Sequence, residues 1–299
     1  MIKRICFWLN CSRAFALPVT ILSWLVVFVF ALKSGGNLIN GMLALIGISF
    51  AHLAGNMADD YIDYGILSKD EKLMNSAVAT KCCYLRDGSI TLSDLGRMIA
   101  VFSIVALIIG AFLYCRSGVG VIWLTVIGGI LTLTYAKFSL VGLSEVIIGL
   151  LFGPLMFEGV WYVMKKSFSM EVFVLSLAVV MLSISFLYIH TLLDFDSDTI
   201  SHKKTLCCRI NDKNKALKLY GVFVGACYIS ALVFGFMTLN VFVLITFAVL
   251  PFAVKIYSLT KKYNSGEDTS TENFYFVLFK ARNLMVYFSL LMTLAILFG

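Results

Sequence analysis

The chain has 299 residues, of which 60% are hydrophobic and only 14% charged, and it carries a formal net charge of +7. A mean hydropathy of +0.93 leaves too little polar surface to coat a water-facing globule, where an ordinary domain has about 25% charged residues. A soluble enzyme, a disordered chain and a coiled coil are excluded. An integral membrane protein is left, and its positive charge reads as a topology signal rather than a nucleic-acid surface.

The first candidate span lies near 15–32. The basic start Met1-Ile2-Lys3-Arg4 leads into an apolar run long enough to cross the bilayer, with no small-residue cleavage site, so it reads as a retained helix. Further spans are expected near 40–58, 98–114, 119–135, 140–164, 170–193, 216–237, 240–258 and 283–298, nine in all. Three prolines in the chain fit long, uninterrupted helices. The expected architecture is an all-α, multi-pass bundle of about nine transmembrane helices around a central cavity, forming a single domain over 1–299.

Charge supports this count. With the N-terminus inside, twenty of the 24 Lys and Arg residues fall in inner segments, whereas one missed helix would invert every later loop. The expectation is an integral protein of the bacterial cytoplasmic membrane, N-terminus inside and C-terminus outside. Two long inner loops, about 59–97 and 194–215, place function on the cytoplasmic face. The eight cysteines include the adjacent pairs Cys82-Cys83 and Cys207-Cys208. They lack the spacing of a zinc site and read as reduced structural thiols.

The second helix ends in His52-Leu-Ala-Gly-Asn56-Met-Ala-Asp59-Asp60-Tyr61-Ile-Asp63. Residues four apart on a helix share a face, so His52, Asn56 and Asp60 line one stripe, with Asp59 and Asp63 at its edge. The sixth helix ends in His190-Thr-Leu-Leu-Asp194-Phe195-Asp196-Ser-Asp198, with His202 and Lys203 following. If the helix continues, His190, Asp194, Asp198 and His202 share a stripe. Six aspartates at the mouth of an apolar bundle repel one another and call for cations. Magnesium takes one or two carboxylates per ion and fills its remaining positions with water and phosphate oxygens. The clusters therefore suit a diphosphate held through Mg²⁺, with Lys203, Arg209, Lys137 and Arg86 at hand to neutralise it.

A phosphate-binding mouth on a lipid-embedded bundle implies an amphiphilic substrate such as a polyprenyl diphosphate. The chemistry that follows is ionisation, with aromatic faces shielding the allylic cation; Tyr135, Tyr61 and Phe195 are candidates. Glu145 and Glu158 lie within the fifth helix, and Glu158 reads as a hydrogen-bonded structural acid.

These residues resemble the UbiA superfamily of intramembrane prenyltransferases. Asn56-x-x-Asp59-Asp60-Tyr61-x-Asp63 is similar to the first aspartate-rich motif, closest to the 1,4-dihydroxy-2-naphthoate branch (MenA type). Asp194-x-x-x-Asp198-x-x-x-His202-Lys203-x-Thr205-Leu206-x-x-Arg209 resembles the second. Gly142-Leu-Ser-Glu145, then Phe152-Gly153-Pro154 and Gly159, match a run of the same branch, and Ser12-Arg13 with Leu17-Pro18 resemble its entry to the first helix.

The resemblance implies that Asn56, Asp60, Asp63, Asp194 and Asp198 hold Mg²⁺ and diphosphate. Arg13, Lys137, Lys203 and Arg209 would contact phosphate, and Tyr135 would face the cation. It further implies a small aromatic quinone precursor as acceptor, giving a demethylmenaquinone with loss of the acceptor's carboxylate. No nucleic acid and no obligate protein partner are expected. Departures stand at His52 for Gln, Asp59 for Asn, His190 and Leu193 for Asn and Arg, and His202 for Gly. They lie near the expected acceptor end, where His52 offers a base for a phenolic acceptor or a plain helix-end hydrogen bond. They keep open transfer to a non-aromatic acceptor and terpene cyclisation. A non-catalytic transporter or lipid-binding bundle is the third reading.

Overall fold

The computed structural model describes residues 2–69, 82–140, 142–200, 204–267 and 270–299, and among these no strand occurs. Lipid cannot satisfy backbone N–H and C=O groups, so a chain this apolar satisfies them internally as helices. In chain order these are α1 (Ile2–Cys11), α2 (Leu17–Lys33), α3 (Leu38–Leu67), α4 (Cys83–Arg86) and α5 (Leu92–Ser117). Then come α6 (Gly120–Leu140), α7 (Ser144–Lys165), α8 (Met170–Leu193), α9 (Phe195–Ile200) and α10 (Leu206–Ile210). The last three are α11 (Lys213–Thr238), α12 (Val241–Asn264) and α13 (Thr271–Phe298). Eight of them are long and apolar enough to cross a membrane, and the Gly120–Tyr135 stretch of α6 is a shorter apolar ninth.

Helix starts follow side-chain chemistry. Thr91 and Asp94 form a reciprocal capping box at α5, and Ser169, Asp212 and Ser270 cap α8, α11 and α13. The Ser270 cap explains why α13 begins twelve residues before the expected 283. Lys280 and Arg282 suppress the hydropathy of that turn, but their cations lie over the rings of Phe252, Phe276 and Phe279 at 4.5–5.3 Å.

The expectation of uninterrupted helices fails in α7. A π-helical turn over Leu151–Leu155 contains Pro154, and Gly153 leaves helical geometry at φ −97°, ψ −114°. Proline cannot donate to the ladder, and a Cβ at Gly153 would sit 2.9 Å from Val180 Cγ1, so the break lets α8 approach closely. Helix α1 also lay outside the expected spans: its ten residues are too few for a crossing.

The most buried span is α8, which packs along α11 and α13, while α3 pairs with α5 and α2 bridges to α7 and α13. Opposite the aspartate end, Asn40 is buried and donates to the Val163 carbonyl at 2.7 Å and to Ser117 Oγ at 3.2 Å. Its Oδ1 accepts from Arg116 Nε at 2.6 Å. Asn40→Ala strands these partners in an apolar setting and is expected to cost about 1–3 kcal/mol, read as a lowered unfolding midpoint in detergent.

Candidate active site

Both aspartate clusters lie at one end of the bundle because the helices alternate in direction: α3 and α8 end there, and α2, α7 and α11 begin there. Asp60 sits near the C-terminus of α3 with only 2% of its surface exposed. Arg13, in the left-handed conformation (φ 52°) between α1 and α2, pairs with Asp60 Oδ1 and reaches Asp59 Oδ2 at 3.3 Å. Tyr84 of α4 donates its hydroxyl to Asp60 Oδ2, and Cys82 Sγ approaches the Asp60 carbonyl at 3.5 Å. Asn56 donates to the Ser12 carbonyl at 3.0 Å, tying the same face of α3 to the α1–α2 junction.

The electrostatics follow from burial. Desolvation works against the charge on Arg13, but Asp60 and Asp59 more than offset it and hold the guanidinium above its ordinary range. Burial, then the bond to Asp60, pushes the Tyr84 hydroxyl up, so it stays a donor. Burial also pushes the thiols of Cys11 and Cys207 up to about 11. They are protonated at neutral pH, which agrees with structural cysteines and not thiolate ligands.

The second cluster begins at the C-cap of α8, where Asp194 Oδ2 meets His190 Nδ1 at 3.2 Å. The helix stripe nearly continues, because Asp198 N donates to the Asp194 carbonyl at 2.8 Å, and Asp198 in α9 is buried. Asp196 points outward and pairs with Lys213 Nζ at 2.6 Å. Arg209 lies in α10, capped by Thr205. His202 and Lys203, and the side chain of Lys137, lie outside the described residues.

Tyr135, Gly142 and Glu145 lie at and on either side of the α6–α7 junction. Tyr135, at the end of α6, lies in the field of Asp59, Arg13, Glu145 and Asp63. Glu145 in turn acts on Tyr188 and Cys207 beside the second cluster. Gly142 (φ +70°) lies so close to the second cap that a Cβ there would fall 1.9 Å from the Lys204 carbonyl oxygen and 3.1 Å from Arg209 Nε. Gly142→Ala therefore has to displace the 204–209 turn. About 10²-fold lower turnover is expected, since misplacement by an ångström has that effect on positioned chemistry; a wild-type steady-state rate would overturn it.

Of the three candidate aromatics, Tyr135 is the one placed beside the first cluster, in the field of Asp59 and Asp63. Tyr61 is largely exposed against Gly96, and Phe195 lies under Lys213 Nζ at 5.6 Å. His52 lies deeper, with Nδ1 2.6 Å from Thr20 Oγ1 and its ring edge-on to Phe152 at 5.1 Å. That contact joins α3 to α2.

One group escapes the sequence reading, and a second, Glu145, is noted there without a role. Tyr84 falls in the 59–97 stretch expected as a loop, between Cys83 and Leu85, with no spacing to mark it. Glu145 is 4% exposed; Ser144 Oγ donates to its Oε2 at 2.9 Å, while Oε1 is buried without any partner.

Among the described residues, no three His, Cys, Asp or Glu side chains form a ready metal cage. The donor set still suits magnesium, which needs only one or two carboxylates when phosphate oxygens complete its shell. Each carboxylate oxygen of Asp60 also has a second lone pair beyond the one Arg13 or Tyr84 takes.

A helical bundle long and apolar enough to span the membrane, with two carboxylate clusters at one rim, has the architecture of an intramembrane enzyme. The chain belongs to the UbiA prenyltransferase family, which it matches over residues 16–280, and it is a prenyltransferase of that family. Membership retires the transporter alternative. No curated protein sequence matches the chain.

Solved structures share the fold. A digeranylgeranylglyceryl phosphate synthase superposes with a TM-score of 0.70 at 16% identity, covering 99% of this chain and 100% of that one. An apo UbiA homologue from Aeropyrum pernix K1 gives 0.67 at 18%, covering 92% and 97%. A UbiA homologue from Archaeoglobus fulgidus bound to DMAPP and Mg²⁺ gives 0.64 at 14%, covering 95% and 98%.

Proposed function

We propose that this enzyme transfers a polyprenyl group from its diphosphate to an aromatic acceptor resembling 1,4-dihydroxy-2-naphthoate, at the cytoplasmic face of a bacterial inner membrane. The single domain spans 1–299. The observation that supports this most is the α6–α7 junction, where Tyr135 lies in the field of Asp59 and Asp63 and Gly142 packs against Lys204 and Arg209 of the second motif. The charge split of the loops supports the orientation, and the Archaeoglobus homologue with DMAPP and Mg²⁺ supports the donor class.

In this reading Asn56, Asp60 and Asp63 from one side, with Asp194 and Asp198 from the other, hold Mg²⁺ and the diphosphate. When bound, the metal supplies charge stabilisation for the departing diphosphate. Arg13, Lys137, Lys203 and Arg209 take the remaining phosphate charge. The C–O bond to the allylic carbon breaks, and the electron pair leaves with the diphosphate. Tyr135 turns its ring to the allylic carbon, while apolar walls exclude water from it. The carboxylate-bearing ring carbon of the acceptor then bonds to the prenyl group, and the ring regains aromaticity as the bond to the carboxylate breaks and CO₂ leaves. The unclaimed Oε1 of Glu145 offers a hydrogen-bond acceptor to an acceptor hydroxyl.

The test is mass spectrometry of products from protein in lipid nanodiscs given prenyl diphosphate and Mg²⁺, with and without the naphthoate. A prenylated naphthol and pyrophosphate, formed only when both are present, are expected. A cyclic hydrocarbon formed without acceptor would overturn transfer in favour of cyclisation. The departures at His52, His190 and His202 motivate a second reading, transfer to a non-aromatic acceptor. Pyrophosphate release with a glycerol-phosphate acceptor but not with the naphthoate would establish it.

A further inference from the structure

Away from the aspartate clusters, two recesses run end to end between α11 and α12, and Tyr257 lines both. The first, of about 680 Å³, is polar and lined by Lys213, Lys261, Lys262, Asn264 and Glu267 among others. The second, of about 570 Å³, is apolar, with Gly221 and Gly225 in its floor and Tyr228, Leu232 and Leu250 along its walls. Nothing lies within 4 Å of a Cβ built on either glycine, so the groove there is open. From Tyr220 to Leu232, at 1.5 Å per residue, it runs about 18 Å, close to one leaflet of a ~30 Å hydrocarbon core.

The polar recess lies at the aspartate end, because Lys213 pairs with Asp196. With Lys213 paired to Asp196, the exposed Lys261 and Lys262 stand with one lining carboxylate, Glu267, among the described residues. Asn264 adds an independent sign of a ligand: its buried Nδ2 has no hydrogen-bond partner, and an orphaned donor of this kind normally costs stability. Among the described residues, the lining lacks the paired aspartates that a magnesium diphosphate needs. A singly charged phosphodiester suits it better, with the lysines neutralising the charge and Asn264 donating to an oxygen.

We propose that this composite groove is a binding site for an anionic glycerophospholipid, headgroup among Lys261, Lys262 and Asn264, and one acyl chain along Gly221 and Gly225. Basic pockets between helices at a membrane interface bind such headgroups. The site is separate from the prenyl-transfer chemistry and stands without it.

Native mass spectrometry of delipidated protein, titrated with phosphatidylglycerol or phosphatidylcholine, tests the proposal. Wild type is expected to retain phosphatidylglycerol in preference to phosphatidylcholine. The double variant Lys261→Gln/Lys262→Gln should weaken phosphatidylglycerol about 30-fold and leave phosphatidylcholine unchanged. Asn264→Ala should weaken it without lowering the unfolding midpoint, because its donor has no protein partner to lose. Gly225→Leu should block the chain end and weaken both lipids. Equal retention of the two lipids by wild type would overturn the proposal, as would phosphatidylglycerol binding indifferent to all three variants. Displacement of phosphatidylglycerol by prenyl diphosphate in magnesium-free buffer would overturn it too, by assigning the groove to the donor. Lipid retention is read without turnover, so none of these outcomes bears on the prenyl-transfer assignment.

Discussion

Asp194→Ala is expected to lower pyrophosphate release from prenyl diphosphate in Mg²⁺-supplied proteoliposomes by about 10²–10³-fold, the effect of removing one group that stabilises developing charge. Stability should fall far less than activity. The Asp194 side chain is about one-third exposed, and its contact with His190 is an i, i+4 pair at a helix end, worth only about 0.3–0.5 kcal/mol. The two readouts therefore separate: activity collapses while the protein stays folded. Wild-type pyrophosphate release would remove Asp194 from the site. His190→Ala, which takes away only the orienting contact, should leave most activity if His190 merely positions the carboxylate.

Asp60 behaves differently, because its carboxylate is structural as well as chemical. Arg13→Ala leaves a buried carboxylate without its cation, and about 3 kcal/mol of stability should be lost, near the low end for a broken buried pair since Arg13 is partly exposed. Asp60→Ala strands Arg13 and Tyr84 instead and should destabilise by a similar amount. Tyr84→Phe removes one donor to the carboxylate and should cost about 1 kcal/mol. The double variant Arg13→Leu/Asp60→Leu removes both charges together and should recover most of the stability, because a buried pair replaced by apolar groups is close to neutral. Its activity should not return. If the double variant is no more stable than either single one, the pair does not hold the α1–α2 junction to α3. If it is active, Asp60 is no part of the diphosphate site.

Both expectations rest on residues that a period-four reading of the helix ends had already singled out. Asn56 and Asp60 share a helix face, and Asp194 and Asp198 share another, because four residues make slightly more than a turn and the polar stripe sits where apolar helices leave the bilayer. That pattern, with the one-sided basic loops, was enough to read an all-helical bundle with its chemistry at one rim. The same local logic missed the start of α13, where Lys280 and Arg282 lower the hydropathy although their cations rest on aromatic faces. It missed the break in α7 although Gly153-Pro154 is a local breaker; the close approach of α8 at Gly153 is what tertiary packing adds.

By itself the sequence determined that this protein spans the membrane as helices and carries two carboxylate stripes, since lipid admits no other backbone and spacing along a helix is a local property. Only the tertiary structure decided which groups share an environment. It closed Arg13 and Tyr84 onto Asp60, set Gly142 against the Lys204 carbonyl, left Glu145 Oε1 unpaired, and opened a lysine-topped groove between α11 and α12. Each of these joins residues from different helices, and their separation is set by how ridges and small residues let helices approach, which no periodicity along one segment encodes.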